Sequence, residues 1–140
     1  MDYKLIAYAQ DFASFIIQNI KDVDKINAII LYGSIARGEE EKDSDIDIFI
    51  ETKVEMKEKI EKIKNEFYNS IKVKKYWALL GINNDFHCES GNLDEWKDLE
   101  RSLNADGLVL FGKYKSKKDA IPYYLFSIEQ KEKRNQNVSL

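Results

Sequence analysis

The chain has 140 residues, 44% hydrophobic and 34% charged, which suits one folded domain and excludes a disordered chain. One cysteine, Cys88, and one histidine, His87, exclude a disulfide framework and a Cys/His zinc site, and leave Ser-His-Asp or Cys-His chemistry resting on His87 alone. The net charge of −3 argues against a general nucleic-acid binder, although residues 113–140 carry a balance of +4 that leaves −7 for the rest.

In chain order, Leu5, Ile6, Tyr8, Ala9, Phe12, Ala13, Ile16, Ile17 and Ile20 recur at steps of one, three and four, which predicts a helix over 2–20. The run AIILY (28–32) is short, branched and ends at Gly33, so it reads as a buried strand. DIDIFIE (45–51) alternates and then turns apolar, a strand with one functional and one core face. Met56, Ile60, Ile63, Phe67 and Ile71 mark an amphipathic helix over 55–72. YWALLGI (76–82), Asn83–Asn84 and DFHCES (85–90) read as a hairpin. Asn92 and Glu95 have capping-box spacing and open a helix with the stripe Leu93, Trp96, Leu99 and Leu103, which Asn104–Gly107 stops. LVLFG (108–112) is a strand, and Pro122 opens PYYLFSI, a segment suited to a sheet edge. Strands and helices alternate, so the class is α/β (α+β), a mixed β-sheet flanked by helices.

No apolar run approaches the ~20 residues of a membrane-spanning helix. The start, MDYKLIAYAQDF, has an acid at position 2 and no basic region before an apolar stretch, so the expectation is a cytosolic, cytoplasmic protein with no membrane partner.

One segment, GSIARGEEEKDSDIDIFI (33–50), concentrates the chemistry. Gly33 lets backbone amides approach a ligand closely, and Ser34 adds a hydroxyl. A helix starting near Ser34 would aim its amides at a phosphate. Asp45 and Asp47, two apart on a strand, share a face. Carboxylates so close repel unless a cation lies between them, which points to hard divalent ions held by carboxylate and phosphate oxygens. Ile46, Ile48 and Ile50 then belong to a core on the other face. Each feature alone reads as an ordinary turn or strand start; their order and shared face favour a site.

In this segment the chain resembles the minimal nucleotidyltransferases of the DNA polymerase beta-like superfamily. Gly33, Ser34, Ala36, Arg37, Gly38, Asp43, Ser44, Asp45 and Asp47 match their Gly-Ser, spacer, Asp-x-Asp signature in register. The stretch LDEWKDLERSLNADGLVLFGKY is similar to a mainly archaeal subgroup of these small proteins. The resemblance implies the polymerase beta-like fold and a nucleotidyltransferase that moves a nucleoside monophosphate, AMP from ATP in the simplest case, to a hydroxyl. It implies that Gly33 and Ser34 hold the triphosphate of ATP or another NTP, and that catalytic Asp45 and Asp47 bind two Mg²⁺ ions. Arg37 either pairs with phosphate or forms a surface ion pair with Glu39–Glu41. Ser44 either turns the chain into the strand or touches nucleotide. The family's third carboxylate has no acid in its usual slot, which falls close to His87. Asp85, His87 and Glu89 share one parity, so one of the three supplies this group, or none does. Cys88 points to the opposite, core face.

The expected domain spans 1–128, with a loosely ordered tail at 129–140. No separate domain remains to recognise an acceptor, so a helical partner protein in a toxin-antitoxin-like pair, or a nucleic-acid end, would present the hydroxyl. A homodimer through 108–112 and 121–128 is the other expected association. The alternative function is a nucleotide-binding, antitoxin-like module without turnover.

Overall fold

Asp2 accepts hydrogen bonds from the backbone amides of Lys4 and Leu5, and α1 runs from there over Tyr3–Asn19. The computed structural model describes residues 2–114, so the segment opened by Pro122 and the tail at 129–140 lie outside the described residues. After α1 come β1 (Ile26–Tyr32), the short helix α2 (Gly33–Arg37), β2 (Ile46–Thr52) and α3 (Lys57–Tyr68). A π-helical turn (Lys72–Trp77), β3 (Phe86–Gly91), a 3₁₀ turn (Leu93–Glu95), α4 (Lys97–Asp106) and β4 (Leu108–Gly112) follow.

Among the described residues the strands form one four-stranded sheet in the order β3-β2-β1-β4. β1 pairs antiparallel with β2 and β4, and β2 pairs parallel with β3, so the sheet is mixed. α1 and α3 cover one face, where Ile29, Leu31, Ile46, Ile48, Ile50 and Phe86 share a core with Ile6, Phe12, Ile60 and Phe67. Ile46, Ile48 and Ile50 are fully buried, as the alternation in β2 requires. α4 covers part of the other face, where Ala28, Ile30, Phe49 and Val109 pack with Leu93 and Leu103. The face that carries Asp47 therefore has a small core of its own, reached through Phe49.

The hairpin expected at 76–90 does not form. A parallel β2–β3 pair needs a crossover of a dozen or more residues, and α3 with the π-helical turn supplies it. Between 76 and 82 only Trp77 and Ile82 are buried, a spacing no strand shares, while Leu79 is 87% exposed. The wide turn lets Trp77 pack at a tilt against Tyr8 and donate its Nε1–H to Asp11 Oδ2 at 2.8 Å, and Lys72 pairs with the same oxygen at 2.9 Å. Ile71, expected on the buried stripe, lies past the end of α3 and is 76% exposed. The Asn92 side chain caps the 3₁₀ turn through Asp94 N, and α4 starts only at Lys97. Among the described residues no helix is long and apolar enough to cross a membrane.

Candidate active site

Tyr32, Asp47 and His87 stand side by side across β1, β2 and β3, at the end of the sheet where β1 turns into α2. Asp47 and Phe49 are two apart in β2 and share a face; α4 reaches Phe49, whose ring meets Trp96 at 6.3 Å between centroids. Asp47 lies beyond that cover, with a quarter of its side chain exposed. Asp45 immediately precedes β2 and is exposed.

Gly33 has φ +80°, and a Cβ built there would collide with Asp47 Oδ2 and lie 3.1 Å from Asp47 Cγ. Only glycine permits both that backbone conformation and that approach. The β1–α2 turn is thereby seated directly on the Asp47 carboxylate. Ser34 follows Gly33 in α2 and is half-buried.

Asp47 Oδ1 lies 3.1 Å from His87 Nδ1, and His87 Nε2 lies 3.2 Å from Glu89 Oε1. The three side chains thus form one line on one face, as the shared parity of positions 87 and 89 predicts. Asp85 does not join it: it precedes β3 and gives its carbonyl to Ile46 N, and its charge adds a small part to the rise that burial imposes on the Tyr8 and Tyr68 phenols. Tyr32, which the motif reading passed over, belongs to the site. Burial first, and then the charges of Asp47 and Glu89, push its phenol well above the usual tyrosine range. The available signal was its parity with Ile30 immediately before Gly33.

The loop between α2 and β2 is held by a residue read as a mere turn. Asn84, buried, donates through Nδ2 to the carbonyls of Lys42 (3.2 Å) and Ser44 (2.8 Å). Ser44 Oγ accepts from Glu41 N at 2.8 Å, so its hydroxyl shapes the turn into β2. Arg37 Nε pairs with Glu39 Oε2 at 3.0 Å, the surface ion pair of the two readings open for it. Cys88 packs against the α1–α3 core, and burial pushes its thiol up to about 12.

The residues suit a divalent cation. Asp45 and Asp47 are hard oxygen donors, and the glycine cradle leaves Asp47 Oδ2 clear of any side chain at position 33. Among the described residues no three His, Cys, Asp or Glu side chains form a ready-made metal cage.

The family described as "Nucleotidyltransferase domain" matches residues 14–134. No curated protein matches the chain in sequence. Among solved structures, a toxin-antitoxin crystallised with AMP-PNP aligns at a TM-score of 0.51 and 17% identity, over 93% of this chain and 90% of that one. The toxin-antitoxin MntA-HpeT, in a mutant with two Asp-to-Glu changes two positions apart, aligns at 0.50 and 16% identity, over 92% and 88%. At such identities the likeness is one of fold.

Proposed function

Because the chain belongs to the nucleotidyltransferase domain family, its chemistry is nucleotidyl transfer, and we propose that it moves AMP from ATP to a hydroxyl presented by a partner protein. The observation that carries this reading is the seating of the Gly33 turn directly on the Asp47 carboxylate. The neighbour crystallised with AMP-PNP supports ATP as donor, and its toxin-antitoxin description supports a protein partner.

In this reading Gly33 N–H and the Ser34 hydroxyl bind triphosphate oxygens, while Asp45 and Asp47 hold divalent metal, Mg²⁺ in the simplest case. Bound metal supplies charge neutralisation at the triphosphate and the leaving pyrophosphate. The acceptor oxygen bonds to the α-phosphorus as the bond to the β-phosphate oxygen breaks. The hydroxyl proton passes to the carboxylates at the Asp47–His87–Glu89 line. Positioning and electrostatics do most of this work, as in phosphoryl transfer generally.

The test is incubation with α-labelled ATP, Mg²⁺ and a cell lysate, with identification of the labelled product. Asp45→Asn and Asp47→Asn should each abolish metal-dependent ATP binding in calorimetry while leaving the circular dichroism spectrum intact. Unchanged affinity in both variants defeats the site assignment. A wild type that binds metal and ATP yet labels nothing supports the second reading, an antitoxin-like nucleotide-binding module. The absence of an acid at the family's usual third-carboxylate position, which the resemblance puts close to His87, favours that reading.

A further inference from the structure

We propose that the exposed stretch 71–80 is a docking surface for an acidic, apolar segment of a second protein, and that this protein presents the acceptor hydroxyl. The second half rests on the reading of transfer to a partner; the first stands on the surface itself. Val73 and Trp77 of the π-helical turn are taken up by the core. Ile71, Tyr76, Leu79 and Leu80 are left outside, four of the six large apolar side chains exposed among the described residues. Single exposed apolar residues are ordinary, but a cluster of them marks a contact surface.

The charges choose the occupant. Residues 70–84 hold Lys72, Lys74 and Lys75 and no Asp or Glu. Lys72 is taken by Asp11 at 2.9 Å, while Lys74 and Lys75 lie exposed beside Tyr76. A segment with Asp or Glu around Leu, Ile or Phe matches the apolar and the basic character together. A second copy does not, because a two-fold contact through this stretch sets it against itself, lysine against lysine. An anionic membrane fits less well. Such binding draws on about four to eight basic residues, and three lysines in a chain of net charge −3 leave −6 on the remainder.

The surface runs toward the site. Leu80, Ile82 and Asn84 line a cleft of about 420 Å³ together with Glu40 and Lys42 of the loop before β2. Asn84 holds the Ser44 carbonyl, and Asp45 is the next residue. A segment that lies on 71–80 and enters this cleft ends one loop away from Asp45. A hydroxyl on the same protein is thereby brought to the end of the sheet that carries the acids.

Leu79→Asp and the double variant Lys74→Glu/Lys75→Glu alter only exposed side chains. With α-labelled ATP, Mg²⁺ and a cell lysate, labelling of a protein should fall ~10-fold or more in each, the scale of losing one anchor of an interface. Calorimetric affinity for ATP with metal and the circular dichroism spectrum should stay as in the wild type. Added salt should weaken labelling by the wild type more steeply than by the double variant. A photo-cross-linking residue in place of Leu79 should join the labelled protein at a segment rich in Asp or Glu, mapped by mass spectrometry. Full labelling by both folded variants overturns the docking surface and leaves the transfer reading standing. Cross-links to the chain itself or to a segment without excess acid overturn it, as does binding to phosphatidylserine vesicles with no protein cross-link. A wild type that labels no protein, yet cross-links to an acidic segment and loses that cross-link in the double variant, defeats the transfer reading and keeps the surface. Neither label nor cross-link overturns both.

Discussion

Gly33→Ala isolates what the glycine contributes, because Gly81 provides a matched control. Both residues have nearly the same backbone, φ +80° and +76°, but a Cβ at Gly81 would have nothing within 4 Å. The left-handed conformation costs an L-residue ~1–2 kcal/mol. Restricting the unfolded chain returns ~0.4–1 kcal/mol of that. Each variant should therefore lose about 1 kcal/mol of stability in urea unfolding. At Gly33 the new methyl also meets the Asp47 carboxylate, with Cγ at 3.1 Å and Cβ at 3.3 Å. The carboxylate can rotate aside, so the fold survives, but Oδ1 must then leave His87. Calorimetry with Mn²⁺ or Mg²⁺ and ATP should show ~10- to 100-fold weaker binding in Gly33→Ala, the range seen when groups that orient a metal ligand are disturbed. Gly81→Ala should bind as wild type. Equal, undiminished binding in both variants refutes the role given to the Gly33–Asp47 contact.

Asn84→Ala removes both amide bonds to the loop before β2 and leaves two carbonyls short of a donor, so urea unfolding should show a loss of ~1–3 kcal/mol; a loss below a few tenths would show that the loop holds itself. Alkaline pH should destabilise the protein. Burial raises the Cys88 thiol to about 12 and lifts the Tyr8, Tyr32 and Tyr68 phenols, so the unfolded chain gives up these protons first. Stability is then complete below the unfolded thiol value of ~8.5 and falls as pH climbs toward the folded values. A melting temperature that stays flat from pH 8 to 11 contradicts this.

The sequence made the centre of the sheet readable because β1, β2 and β4 are continuous or alternating apolar runs closed by glycine or acid. Their side chains meet core on at least one face, so local pattern and final burial coincide. The region 71–84 was not readable for the opposite reason. Its conformation depends on Asp11, sixty-six positions from Trp77, which takes hydrogen bonds from Trp77 and Lys72. Without that partner, YWALLGI has the composition of a strand and the burial of neither strand nor helix. Asp47, His87 and Glu89 came from spacing and parity, which hold inside strands. Asp45 and Asp85 each lie one residue before their strands, where parity carries no information. Asn84 was missed because its role is to satisfy the carbonyls of a loop forty residues away, and no local pattern encodes that.

β3 lies at the margin of the sheet, and its backbone meets α3 twice at a single residue. Phe86 N–H donates to the Tyr68 hydroxyl at 2.8 Å, and Lys64 Nζ donates to the Phe86 carbonyl at 3.3 Å. An unpaired strand margin is a template for foreign strands, and proteins protect it with charge or cover. Here both safeguards come from one turn of α3, since Lys64 and Tyr68 are four residues apart. Fraying of that last turn uncovers a donor and an acceptor together. Among the described residues, then, one turn of α3 guards both backbone groups at this point of the sheet margin.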